Sequence, residues 1–308
     1  MYELFLTLSG SLTALVLCIA AGFVSRKTNI IDDSHVSGMT NLLIRITLPC
    51  IIFMSMMREF SPELLFESIA TFVITAVLYI ISGYMGLGLA KIMKASPGER
   101  QSWQFGTAFG NVAFMGIPVT IAVFGYDAVI YVSMAAVSFA LMAFTFGLRM
   151  FDNAPRGIKI KELVICNPAL PAALIGFIFF LTGLRLPQIL ESGVDLIGGV
   201  TTPLSMMIIG AILARQSLKN SFIDIRLLPP VALKLIVVPL LTLLAFYWII
   251  PSPLMLSALV LIMSMPPGTM TVIFAEQYKA DPLTAARFVV VGTMLSVVTI
   301  PIILLLVL

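Results

Sequence analysis

Apolar runs of about 20 residues recur along the whole chain, and that is the length an α-helix needs to cross the hydrocarbon core of a bilayer. Nothing else in the sequence restricts the fold as strongly. A segment in hydrocarbon must satisfy its own backbone amides, so each run is expected to be helical. Of the 308 residues, 60% are hydrophobic and 11% charged, against the ~25% charge of a soluble domain. No stretch is long or polar enough for a separate soluble domain. The net charge of +3 gives no reason to expect nucleic acid as a partner. The expected fold is all-α and integral to the membrane, with 1–308 as a single membrane domain.

Ten spans fit the pattern, at approximately 4–24, 36–57, 68–90, 101–125, 128–150, 163–183, 192–214, 227–250, 254–277 and 282–307. Residues 4–24 read as a retained first span, because Glu3 stands where a signal peptide needs positive charge. With the N-terminus outside, the inner loops hold Arg26, Lys27, Lys91, Lys94, Arg100, Arg149, Arg156, Lys159, Lys161, Arg215, Lys219, Arg226 and Lys279, and the outer loops only Arg58 and Arg185. Positive residues stay on the cytoplasmic side. Both termini are therefore expected outside a cell (inner) membrane crossed many times.

Ten spans divide into five and five, and an odd number per half places two similar halves upside down to each other. Thr47-Leu48-Pro49 recurs as Thr201-Thr202-Pro203, and Asp127, opening span 5, recurs as Asp281, opening span 10. Both pairs lie 154 residues apart, half of 308. This fits an inverted repeat, the construction of many secondary transporters. Repeat one would be 1–152 and repeat two 160–308, with a basic linker from Arg149 to Glu162.

Spans 4 and 9 are interrupted. The fourth reads Gly110-Asn111 and then Gly116-Ile117-Pro118; the ninth reads Pro266-Pro267-Gly268-Thr269. Proline removes an amide and clashes with the carbonyl four residues back, and glycine uncovers the backbone. A break near the bilayer midplane frees polar groups that need protein, water or ligand. The start of a half-helix carries partial positive charge and favours anions, and the Asn111 amide adds donors and an acceptor there. A single such cluster is as compatible with an ordinary kink, with Asn111 joining helices. Two clusters in equivalent spans of opposite direction favour a binding site.

Four ionisable residues fall inside spans: Arg45, Lys234, Glu276 and Arg287. The last three lie near the inner face, where they could snorkel. Arg45 is deeper, and could meet an anionic substrate, pair with a carboxylate or reach headgroups. Cys18, Cys50 and Cys166 sit in apolar runs as small hydrophobes. No His/Cys/acid cluster has metal-ligand spacing, His35 is the one histidine, and no nucleotide-binding loop occurs. No enzyme, metal or cofactor is expected.

The motif from Gly110-Asn111 through Met115-Gly116-Ile117-Pro118 resembles that of the auxin efflux carrier family, which includes bacterial carriers of malonate and related acids. Met265-Pro266-Pro267-Gly268 followed by Val272-Ile273-Phe274-Ala275-Glu276-Gln277-Tyr278 is similar to the family's ninth span, and Leu48-Pro49, Asn167-Pro168 and Asp281-Pro282 also fit. The resemblance implies two inverted five-helix repeats. Spans 1, 2, 6 and 7 would form a scaffold that dimerises through spans 2 and 7. Spans 3–5 and 8–10 would form a moving transport domain with spans 4 and 9 crossing at its centre. It further implies elevator-like movement of a carboxylate-bearing solute, with Asn111 as the crossover asparagine and Pro266 as a proline of the second crossover. Plant members carry a long loop between halves that this chain lacks, so auxin itself is not the expected substrate.

The expected function is secondary transport of a small organic anion. Asn111, Gly110, Gly268, Thr269 and Arg45 would contact substrate, and Gly116, Pro118, Pro266 and Pro267 would keep the helices broken. The lipid bilayer and a second copy of the chain are the other expected partners. A passive anion channel, a carrier resembling the bile-acid/sodium symporters and, more remotely, a receptor are the alternatives.

Overall fold

The computed structural model describes residues 2–154, 168–215 and 225–307. Arg156, Lys159, Lys161, Cys166, Asn167 and Lys219 lie outside the described residues, as does the expected linker beyond Ala154. The described residues are helical, with no strand beyond one isolated bridge. In chain order the helices are α1 (Tyr2–Lys27), α2 (Asp33–Met56), α3 (Pro62–Ile92), α4 (Pro97–Ala108), α5 (Val112–Phe124), α6 (Tyr126–Met150), α7 (Ala169–Thr182), α8 (Gln188–Ala214), α9 (Ile225–Phe246), α10 (Pro253–Ser264), α11 (Met270–Gln277) and α12 (Pro282–Val307). Six of them, α2, α3, α6, α8, α9 and α12, are long and apolar enough to cross a membrane. Helices α5, α7 and α10 are apolar but shorter.

Ordinary capping chemistry starts and stops these helices. Asp32 accepts from the backbone N–H groups of Ser34 and His35 to begin α2, and Ser96 and Glu99 form a capping box at α4. The backbone N–H of His35 and the Ser34 hydroxyl hold the Asp32 carboxyl below the usual carboxylate range. Asp281 caps α12 by accepting from the Thr284 N–H at 3.0 Å. Gly183, at φ 68, ends α7 in the left-handed conformation that glycine adopts without penalty.

Four five-residue segments are widened into π-helix: Leu43–Thr47 in α2, Val112–Gly116 in α5, Ala143–Gly147 in α6 and Leu233–Val237 in α9. Three of them run directly into a proline two residues on, Pro49, Pro118 and Pro239. The carbonyl four residues before each proline, the one its ring would strike, belongs to the middle residue of the π segment. Widening the turn relieves that clash and finds the displaced carbonyls new donors. Thus the N–H of Leu48 donates to Leu43 and that of Val238 to Leu233, five residues back.

Contacts divide the chain into two units. Unit one is Met1–Ile69, Ala113–Val137 and Val164–Ser217; unit two is Ala70–Val112, Ser138–Leu163 and Leu218–Leu308. Unit one collects α1, α2, α7 and α8, the set that the resemblance assigns to a scaffold. It also takes most of α5 and the first half of α6, which the resemblance places in the transport domain. Within it α1 and α8 pack backbone to backbone. A Cβ on Gly22 would lie 2.0 Å from the Met207 carbonyl oxygen, and one on Gly210 would lie 1.9 Å from that of Ile19. Only glycine permits that approach. Cys18 and Cys50 are free thiols and half-buried rather than buried. Asp127 pairs with Arg58 at 2.9 Å, and Ser55 shares a buried hydrogen bond of 2.9 Å with Ser133.

Unit two is held by aromatic packing at the ends of the broken helices. The rings of Phe105 in α4 and Phe109 just beyond its end lie tilted at 4.6 Å, Phe105 meets Phe274 of α11 at 5.2 Å, and Phe109 meets Tyr79 and Phe139 at 5.3 and 5.5 Å. Such edge and tilted contacts suit the ring quadrupoles.

Candidate functional site

The two interruptions meet inside unit two. Helix α4 ends at Ala108, and Phe109 is extended, at φ −106 and ψ 101. Helix α10 ends at Ser264, and Met265 is extended, at φ −62 and ψ 138. The two extended stretches cross as an antiparallel bridge between Gly110 and Pro267. The Asn111 N–H donates to the Pro266 carbonyl at 2.8 Å, and the Gly268 N–H donates to the Phe109 carbonyl at 3.0 Å. Carbonyls left over by one break are satisfied by amides of the other, the accounting that buried backbone requires.

This changes the role expected of Gly268. Its N–H is spent on the bridge, so it is not available to a carboxylate. The backbone amides that open α11 are those of Thr269 and Met270, both half-buried. Gly110, Asn111, Pro266, Pro267 and Gly268 are all buried, Asn111 being 8% exposed. The structure therefore brings together six predicted residues: Gly110, Asn111, Pro266, Pro267, Gly268 and Thr269. Gly116 and Pro118 follow Asn111 along the chain in unit one, Gly116 ending the π segment of α5 and Pro118 in the turn after it. Arg45 also belongs to unit one, and its side chain is exposed.

Close packing fixes the crossing. Gly292 of α12 lies under the double proline, where a Cβ would be 2.6 Å from Pro267 Cδ. At Gly110 a Cβ would be 3.0 Å from the Met265 carbonyl oxygen and 3.3 Å from Lys234 Nζ. Lys234 is thus the residue that reading the sequence misplaced. It does not snorkel: its side chain is 0% exposed, and its amine lies at the crossing. Among the described residues Nζ has no hydrogen-bond partner. Thr271 Oγ1, in the first turn of α11, is likewise buried without a partner. No group of potential metal ligands occurs among the described residues.

Chemically the crossing is a buried point at which the start of α11, the backbone of Gly110 and Asn111 and the Lys234 amine lie close together. Such a point suits a small anion.

Comparison with known proteins identifies the family. Residues 7–304 match the family described as Membrane transport protein (Mem_trans). An "Uncharacterized transporter" of Methanothermobacter thermautotrophicus is 26% identical over 295 residues, covering 94% of this chain and 95% of its own. An "Uncharacterized transporter" of Methanocaldococcus jannaschii is 24% identical over 213 residues, 66% of this chain and 68% of its own. A Rhizobium meliloti protein named "Putative malonate transporter" is 23% identical over 279 residues, 85% of this chain and 84% of its own. With a match across nearly its whole length, the chain belongs to the Mem_trans family of membrane transport proteins, that of the auxin efflux carriers.

Proposed function

We propose that this protein is a secondary carrier of a small carboxylate, malonate or a close relative, working by elevator-type alternating access. One observation carries the reading: the buried crossing at Gly110 and Pro267 places Asn111 beside a helix start. The name of the Rhizobium relative supports a dicarboxylate. Asn111 and the amides of Thr269 and Met270 would hold the carboxylate, with Gly110 and Gly268 as the close-packed backbone around it. Pro266 and Pro267, with Gly116 and Pro118 on the fourth span, would keep the helices from closing into regular turns. Arg45, exposed on unit one, has no part in this assignment.

The same reading includes ten spans as two inverted repeats, both termini outside the cell membrane, and a homodimer through α2 and α8. The test is Asn111→Ala in reconstituted vesicles loaded with malonate. The variant should insert as wild type does but lose about tenfold or more of its malonate affinity, the worth of a lost hydrogen bond to a charged group. Unchanged uptake and affinity would sink the assignment. Counterflow of labelled against unlabelled malonate separates a carrier from an anion channel, and sodium dependence would point to the symporter alternative.

A further inference from the structure

Lys234 has no role in the carrier reading so far. It stands on the π segment Leu233–Val237 of α9, fully buried, with Nζ 3.3 Å from where a Gly110 side chain would begin. A buried cation needs a partner, because taking a charge out of water costs several kcal/mol unless an opposite charge or hydrogen bonds offset it. Among the described residues the elements packed against this segment offer none. Helix α10 carries no titratable side chain, and α12 carries only Arg287. Helix α4 carries Glu99 beside Arg100, but the Glu99 carboxylate accepts from the Ser96 N–H at 2.8 Å and faces Arg226 at 3.9 Å. Glu276 of α11 is exposed. The neighbouring Leu235 is packed in an apolar cluster with Trp103, Phe288 and Val291.

We propose that Lys234 is the fixed counter-charge of the transported anion. A carboxylate arriving beside Gly110 accepts from Nζ, and this ammonium selects anions over neutral solutes of the same shape. Gly110 is required because a side chain there would occupy the approach to the amine. The inference rests on the carboxylate-carrier reading and adds the residue that recognises charge, whereas Asn111 recognises shape and hydrogen bonding.

The test uses the purified full chain in detergent, with thermal-shift titrations of malonate and of malonamide, its neutral diamide. Wild type should be stabilised by malonate far more than by malonamide, since saturating ligand stabilises the folded state. Lys234→Gln should weaken malonate about tenfold to a hundredfold and leave the malonamide response unchanged. Asn111→Ala should weaken both. Without ligand, Lys234→Met should melt at or above the wild-type temperature, because it removes an unpaired buried amine. Malonate affinity retained in Lys234→Gln would overturn the inference and leave the carrier reading standing. Failure of both Lys234 variants to fold would also overturn it, by giving Lys234 a structural partner. A wild-type protein that responds to neither malonate nor other small carboxylates would remove both readings together.

Discussion

Replacing Gly292 by alanine tests whether the crossing, rather than any single ligand contact, is what the fold protects. The added Cβ would stand 2.6 Å from Pro267 Cδ and 3.3 Å from its Cγ. Carbon atoms rest about 3.5–4.0 Å apart, so the ring must retreat by about 1 Å. It cannot swing aside, because the pyrrolidine is tied to its own backbone. That backbone is bridged to Gly110, through bonds of 2.8 and 3.0 Å. A retreat of about 1 Å takes at least one of them beyond hydrogen-bonding range. Overpacking costs about 1–3 kcal/mol, and a lost bond about 1 kcal/mol net, so a destabilisation of about 2–4 kcal/mol is expected. Gly88→Ala is the matched control: nothing lies within 4 Å of its added Cβ, and alanine favours a helix interior by about 1 kcal/mol. Thermal unfolding in detergent should place Gly292→Ala several degrees below Gly88→Ala, and counterflow of malonate should fall in the first and not the second. Equal melting temperatures with wild-type transport in both would refute the argument that Pro267 is held from behind.

Gly210→Ala should do greater damage of a different kind. Its Cβ would sit 1.9 Å from the Ile19 carbonyl oxygen, so α1 and α8 must separate along their backbones, and the melting temperature should fall further than for Gly292→Ala, while Gly199→Ala, with open space, should melt as wild type does. Asp127→Asn removes an ion pair to Arg58 whose carboxylate is 78% exposed, a contact worth under about 1 kcal/mol. The pH profile of malonate uptake should not move; a shifted profile would give Asp127 a part in proton coupling.

Much of this was legible from residue order. The spans expected at 36–57, 68–90, 128–150, 192–214, 227–250 and 282–307 each meet a helix long and apolar enough to cross a membrane, because length, hydropathy and capping residues act locally. The fourth and ninth interruptions were legible too, since glycine at 110 weakens a helix and the double proline at 266 and 267 removes two backbone donors. What those interruptions do for each other was not. A break frees groups, but whether water, ligand or another break satisfies them depends on contacts between residues more than 150 positions apart, and here the Gly268 amide finds Phe109. The proline at 239 gave no separate warning of a π segment, although Pro49 and Pro118 act on α2 and α5 in the same way.

Lys234 shows most clearly what position along a span leaves undetermined. Arg45 and Lys234 are both basic residues within a π segment that leads into a proline. Depth alone made Arg45 the candidate for substrate and left Lys234 to the headgroups. Arg45 is the third residue of Leu43–Thr47, four before its proline; Lys234 is the second of Leu233–Val237, five before its own. One residue is about 100° around a helix. A shift of that size separates a side chain facing outward from one facing the core, and the structure has Arg45 exposed and Lys234 at 0%. Phase against the proline, more than distance from the membrane surface, decides which cation is available to an anion inside the protein. A helix of regular period read through the same residues would miss it, because the extra residue of each π segment resets the phase just where the basic side chain stands.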